Sequence, residues 1–147
     1  MDYIYTGHFL EHILRHEALA VLRECHRVLK PGAVLRVSVP DLAKLAALYQ
    51  RKDPSVFPDP PEKDPLPFLN GDRFCSYLYS QEMNTSAKPS LIRRFQEFFL
   101  RRHQWMYDEE SFAALMTAAG FSEIRSRGYR ETELEEARQL DHHPEIS

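Results

Sequence analysis

The stretch that most constrains this chain runs from residue 2 to residue 39. Residues 2–6, DYIYT, are rich in β-forming side chains, and Gly7 breaks the run. From Leu10 to Leu29 the apolar residues return at helical spacing, through Leu14, Ala18, Val21, Leu22, Cys25, Val28 and Leu29. Arg15, Arg23, Glu24 and Arg27 occupy the other face. Lys30-Pro31-Gly32 stops the helix, because proline has no N–H to continue it and glycine admits a positive-φ turn. Residues 33–39, AVLRVSV, then read as a second strand. Strand, helix and strand in that order make a βαβ unit, with parallel strands and a right-handed crossover expected.

Beyond it, Pro40-Asp41 ends the strand, and residues 41–51 carry Leu42, Leu45, Ala46, Leu48 and Tyr49 at helical spacing. Residues 53–67 hold six of the ten prolines and read as a stiff loop. Helices are expected around 72–82 and 89–101. Residues 108–119 form a clear helix, with Asp108 as N-cap, Glu109 and Glu110 in the first turn and Gly120 as the stop. Residues 121–129, FSEIRSRGY, alternate like a half-buried strand. The acidic tail, 131–147, reads as a short helix followed by disorder.

With 147 residues the chain is expected to be one domain, 1–147, with a variable lid over 53–101. The net charge of −3 argues against a dedicated nucleic-acid binder. No apolar run approaches the ~20 residues of a membrane span, and the first residues lack the basic-then-apolar layout of a signal peptide. Two cysteines, Cys25 and Cys75, make neither a disulfide framework nor a metal quartet, so a cytoplasmic setting is expected. Five glycines, none within two residues of another, leave no G-x-G, so no glycine phosphate cradle can be written on this sequence.

DYIYTGHFLEHI, then RECHRVLKPGAVLRVSVPDL, then RHQWMYDEESFAALMTAAGF resemble the C-terminal half of a class I S-adenosylmethionine-dependent methyltransferase. The type 11 group is the nearest in pattern, with D-x-I-x-x-x-H-x-L-E-H, R-V-L-K-P-G-G and a strand ending in V-P-D. The likeness covers roughly residues 2–50 and 103–129, and its mild departure is Ala33, where the second family glycine would stand. It implies an α/β, partial Rossmann-like fold, with 2–6 and 33–39 as the fourth and fifth strands of seven. The cofactor's glycine loop and the acidic residue for its ribose would then lie upstream of Met1. S-adenosylmethionine is the implied cofactor, with Tyr5, Thr6, Gly7, His8 and Phe9 as the pocket wall beside its methionyl part and sulfonium. A sheet lacking its other half is expected to form homo-oligomers or to pair with a missing N-terminal half.

Each candidate residue has a plainer alternative. His8, near the reacting methyl, suits a general base toward an acceptor hydroxyl or amine; alternatively it is a structural histidine at the strand-to-helix turn. His8-x-x-Glu11-His12 also spells the inverted zinc-peptidase motif. A strand and Gly7 stand where a long helix should, and no third ligand is marked, so no metal is expected there. Asp41 is a substrate contact or a helix N-cap, the cap being favoured. His103 and Tyr107 read as substrate contacts; the alternative is core packing of Trp105 and Met106 onto helix 108–119, which is favoured for Trp105. Residues 91–102, LIRRFQEFFLRR, read as a basic amphipathic helix that can lie on a membrane or phosphate surface, but a lid helix with a solvated basic face is favoured. His26 is expected in solvent and Cys25 is not expected as a nucleophile. The function expected is methyl transfer to a small or glycan-like acceptor. The alternatives are a non-catalytic remnant or partner subunit that pairs with another chain, and, more distantly, a zinc hydrolase.

Overall fold

The computed structural model describes residues 1–57, 67, 69–79, 103–128 and 131. Strand β1 (Tyr3–Gly7) pairs in parallel with β2 (Val34–Ser38), with Tyr3 opposite Val34 and Gly7 opposite Ser38. The N–H of His8 donates to the Ser38 carbonyl at 2.9 Å and carries the ladder one residue further. Helix α1 (Arg15–Val28) crosses between the strands. The parallel βαβ unit expected from the sequence is therefore formed, and the architecture is mixed α/β with a small parallel sheet, compatible with a partial Rossmann-like fold.

The helix expected over 10–29 is divided. Leu10–His12 is a single 3-10 turn, Ile13 is extended, and α1 begins only at Arg15. Leu10 is fully buried and Ile13 packs against the same core, so the chain bends here to turn both inward. Leu14 has no side-chain acceptor to cap the helix, but the Glu17 carboxylate reaches back and accepts the Leu14 N–H at 2.9 Å. At the other end of α1 the Ala33 N–H donates to the Lys30 carbonyl at 3.0 Å. Pro31 and Gly32 (φ 78°) hold the two central positions, which is the sequence pattern of a type II turn. Ala33 takes the fourth position, where no positive φ is required, so alanine fits there.

Helix α2 (Leu42–Gln50) follows β2, α3 (Asn70–Tyr79) follows the proline-rich stretch, and α4 (Glu109–Ala119) follows an extended segment from His103. None is long and apolar enough to cross a membrane. Asp108 caps α4 by accepting the Ser111 N–H at 2.8 Å, and Gly120 closes it with φ 106°. The expected strand at 121–129 is not formed over 121–128, where the chain has no regular structure and is mostly exposed. Alternation alone does not make a strand, which needs a ladder partner, and β1 and β2 pair with each other. The expected helix over 89–101, most of the 53–101 lid and the 132–147 tail lie outside the described residues.

The core joins one face of β2 to α1 and α4. Leu10, Ala18, Leu22, Tyr107, Leu115, Met116 and Ala119 are buried, with Leu35, Val37 and Val39 packed against them. Each large buried side chain contributes about 1.5–3 kcal/mol by leaving water. A second cluster forms where Leu45 of α2 and Phe57 meet Phe74 and Tyr77 of α3 and Met106.

Candidate functional site

Parallel strands put their carboxyl ends on one side, and open α/β sheets put their ligand crevice there. In this chain β1 ends at Gly7, and the next residue, His8, has a left-handed φ of 50°. A non-glycine residue pays strain for that conformation, which occurs chiefly where surrounding structure enforces it. The left-handed residue throws the chain sideways into the Leu10–His12 turn, so His8, Glu11 and His12 all gather at this end of the sheet.

Glu11 is the centre of the arrangement. It is 0% exposed, and among the described residues neither carboxylate oxygen has a hydrogen-bond partner. Nδ1 of His8 lies 3.3 Å from Oε1 of Glu11, and Nε2 of His12 lies 3.9 Å from the same oxygen. The third histidine arrives from far along the chain. Asp41 bridges Tyr107 in parallel, and the Leu42 N–H donates to the Tyr107 carbonyl at 2.7 Å. The Gln104 and Trp105 N–H groups both donate to the Glu11 carbonyl, at 2.6 and 3.2 Å. Those bonds lay residues 103–107 along the crevice and bring the His103 ring to within 5.0 Å of His12, centroid to centroid.

Ligand atoms of Glu11, His12 and His103 all fall within 4.8 Å of one another. Burial first, and the nearby His12 second, hold the His103 imidazole below the usual histidine value. Tyr77 stands over His103 with ring centroids 5.8 Å apart. Its phenol is pushed up to about 12, by burial first and then by the Glu11 charge.

The other candidates divide. Tyr5, Thr6 and Gly7 are half-buried along β1, and Phe9 is 46% exposed at the turn. A methyl group placed on Gly7 would come within 2.5 Å of the Tyr5 hydroxyl, so the Tyr5 ring lies over this glycine. Asp41 caps α2, its Oδ1 accepting the Ala43 and Lys44 N–H groups at 2.8 and 3.3 Å. Tyr107 is 1% exposed and meets Phe112 edge-on, and its hydroxyl is buried without a partner. Trp105 is not part of the core that α4 builds, where Tyr107 packs instead. Trp105 is 45% exposed, Tyr107 meets Phe112, and Met106 joins the Leu45–Phe57 cluster. Burial raises the Cys25 thiol above its ordinary value, which leaves it a poor nucleophile.

The sequence pattern does not place Glu11 at the centre or Tyr77 beside it. The H-x-x-E-H spacing marks the local half of the cluster. Nothing local to Tyr77 or His103 marks the other half, which only the fold brings near.

A scan against family models matches residues 1–37 to a methyltransferase domain. No curated protein and no solved structure shows significant similarity to the chain. The matched residues contain β1, the His8 turn, Glu11, His12, α1 and most of β2. The N-terminal part of this chain is thus similar to a methyltransferase domain over residues 1–37.

Proposed function

We propose that this chain takes part in methyl transfer from S-adenosylmethionine to a small or glycan-like acceptor. The observation that carries the proposal is the coincidence of the methyltransferase-domain match with the turn at the carboxyl end of β1. The residues present fit one wall of such a site. Tyr5–Phe9 offer two aromatic rings and a kinked backbone to the cofactor's methionyl part. Among the described residues, no glycine cradle accompanies them: the space above Gly7 is taken by Tyr5. When bound, the cofactor supplies an activated methyl group on a cationic sulfonium. This chain's part would be to align the acceptor and to receive its proton, and His8, with Nδ1 beside Glu11, suits that role. His103 and Tyr107 remain candidates for acceptor contact.

Calorimetric titration of S-adenosylhomocysteine into the purified chain tests the reading. Micromolar binding supports it, and absence of heat up to millimolar ligand overturns it for this polypeptide.

A second reading is favoured by one observation: β1 and β2 pair only with each other among the described residues. Two-stranded parallel sheets are rarely stable alone. Under this reading a free edge takes a strand from a second copy or another chain, and the chain serves as a non-catalytic subunit. Light scattering that finds a monomer across a wide concentration range would count against it.

A further inference from the structure

We propose that Glu11, His12 and His103 form a binding site for one divalent transition-metal ion of the zinc class. The inference stands apart from methyl transfer and needs no cofactor. It also differs from the peptidase reading of the sequence motif, in which His8 and His12 would be ligands and Glu11 a base.

Three observations carry it. The first is donor chemistry and distance. Two imidazoles and one carboxylate offer atoms that all lie within 4.8 Å of one another. Bonds of about 2.0–2.2 Å to a common tetrahedral ion place ligand atoms roughly 3.4 Å apart, so modest rotation of half-buried rings closes the set. Nitrogen-rich donors favour zinc, nickel or cobalt over magnesium or calcium, which want oxygen.

The second is unmet polarity. Among the described residues, Glu11 is 0% exposed with both oxygens lacking hydrogen-bond partners, and Nδ1 of His103 is buried in the same condition. A buried carboxylate is costly unless a charge or donors compensate it. A cation between these atoms would answer both orphans at once.

The third is support from outside the ligand set. The Tyr77 ring packs against the His103 ring, centroids 5.8 Å apart, and restricts how that ring can turn. Nδ1 of His8 lies 3.3 Å from Oε1 of Glu11, outside the ligand set but close enough to limit where the carboxylate can swing. The two N–H bonds to the Glu11 carbonyl hold His103's segment beside the Leu10–His12 turn before any ion arrives.

The test is titration of the chelator-stripped chain with Co²⁺ followed by visible absorption, then displacement by Zn²⁺. One equivalent of saturable Co²⁺ that Zn²⁺ displaces is expected. His12→Ala and His103→Ala should each weaken binding by about tenfold or more, whereas His26→Ala, on a distant exposed histidine, should not. Circular dichroism checks that each variant is folded, and His103→Asn serves where the alanine variant is not. Three results would each overturn the site: no saturable Co²⁺ spectrum in the parent chain, binding untouched by both ligand variants, or binding lost equally in His26→Ala.

Discussion

Nδ1 of His8 lies 3.3 Å from Oε1 of Glu11, and the two residues meet across a left-handed backbone position. Two opposed demands fall on His8. Its side chain faces a buried carboxylate, and its φ of 50° suits glycine better than any β-carbon residue. These demands can be separated by substitution. His8→Ala loses the imidazole and keeps the strain; His8→Gly loses the imidazole and relieves it. His8→Ala should destabilise the chain by about 1–3 kcal/mol in urea unfolding, since a buried carboxylate loses its neighbour. His8→Gly should be more stable than His8→Ala by about 1 kcal/mol, the reverse of the usual glycine penalty. Equal stabilities would mean that the turn relaxes and the left-handed position is not enforced.

Gly120 ends α4 with φ 106°, and its N–H donates to the Met116 and Thr117 carbonyls. A β-carbon there would meet the His26 ring at 3.3 Å, and His26 itself packs edge-on against Phe121. Gly120→Ala should cost about 1–2 kcal/mol, chiefly through the backbone. Adding His26→Ala should restore little of it, because the side-chain contact is the lesser part. Full recovery in the double variant would show that the clash, not the left-handed cap, decides stability here.

The contrast between α4 and the 103–107 segment shows what the sequence made legible. Asp108, the acidic first turn and Gly120 are local signals, and each acts within a turn of its own position, so the helix was readable to within a residue. The βαβ unit was readable for the same reason, because Lys30-Pro31-Gly32 carries its turn chemistry in its own residues. The break at Ile13–Leu14 was not, since burial of Leu10 and Ile13 overrode an unbroken helical period. Nor was the meeting of His103 with Glu11, which depends on backbone bonds between segments more than ninety residues apart. His8 and His103 each stand out as candidates in the sequence, but nothing in the one-dimensional pattern pairs them.

Asp41 can be assigned by a conservative substitution. Its carboxylate oxygen takes two N–H groups at the start of α2, and asparagine can take the same place. Asp41→Ala should lower stability by about 1 kcal/mol, while Asp41→Asn should leave it nearly unchanged. If the capping role is the whole role, Asp41→Asn should also leave ligand binding unchanged. Binding abolished in a fully stable Asp41→Asn chain would instead assign the carboxylate to the crevice.

Asp108 makes the acid side of the stability curve testable. Hydrogen bonds from Ser111, side chain first and backbone second, hold its carboxyl below the ordinary 3.8. The unfolded chain therefore takes up a proton at this residue at a higher pH than the folded chain does. Between the two values the unfolded state binds more protons, so stability falls as the pH falls through that window. Above it, the contribution is fully present. Asp108→Asn keeps an N-cap but removes the titration. The difference in Tm between the parent and Asp108→Asn should thus be constant from pH 7 to about 5 and then shift against the parent as the pH drops below 4. Carboxyl-carbon NMR titration reads the same shift directly at the residue. A difference in Tm that stays flat down to the acid transition would mean that the Ser111 hydrogen bonds do not favour the ionised cap.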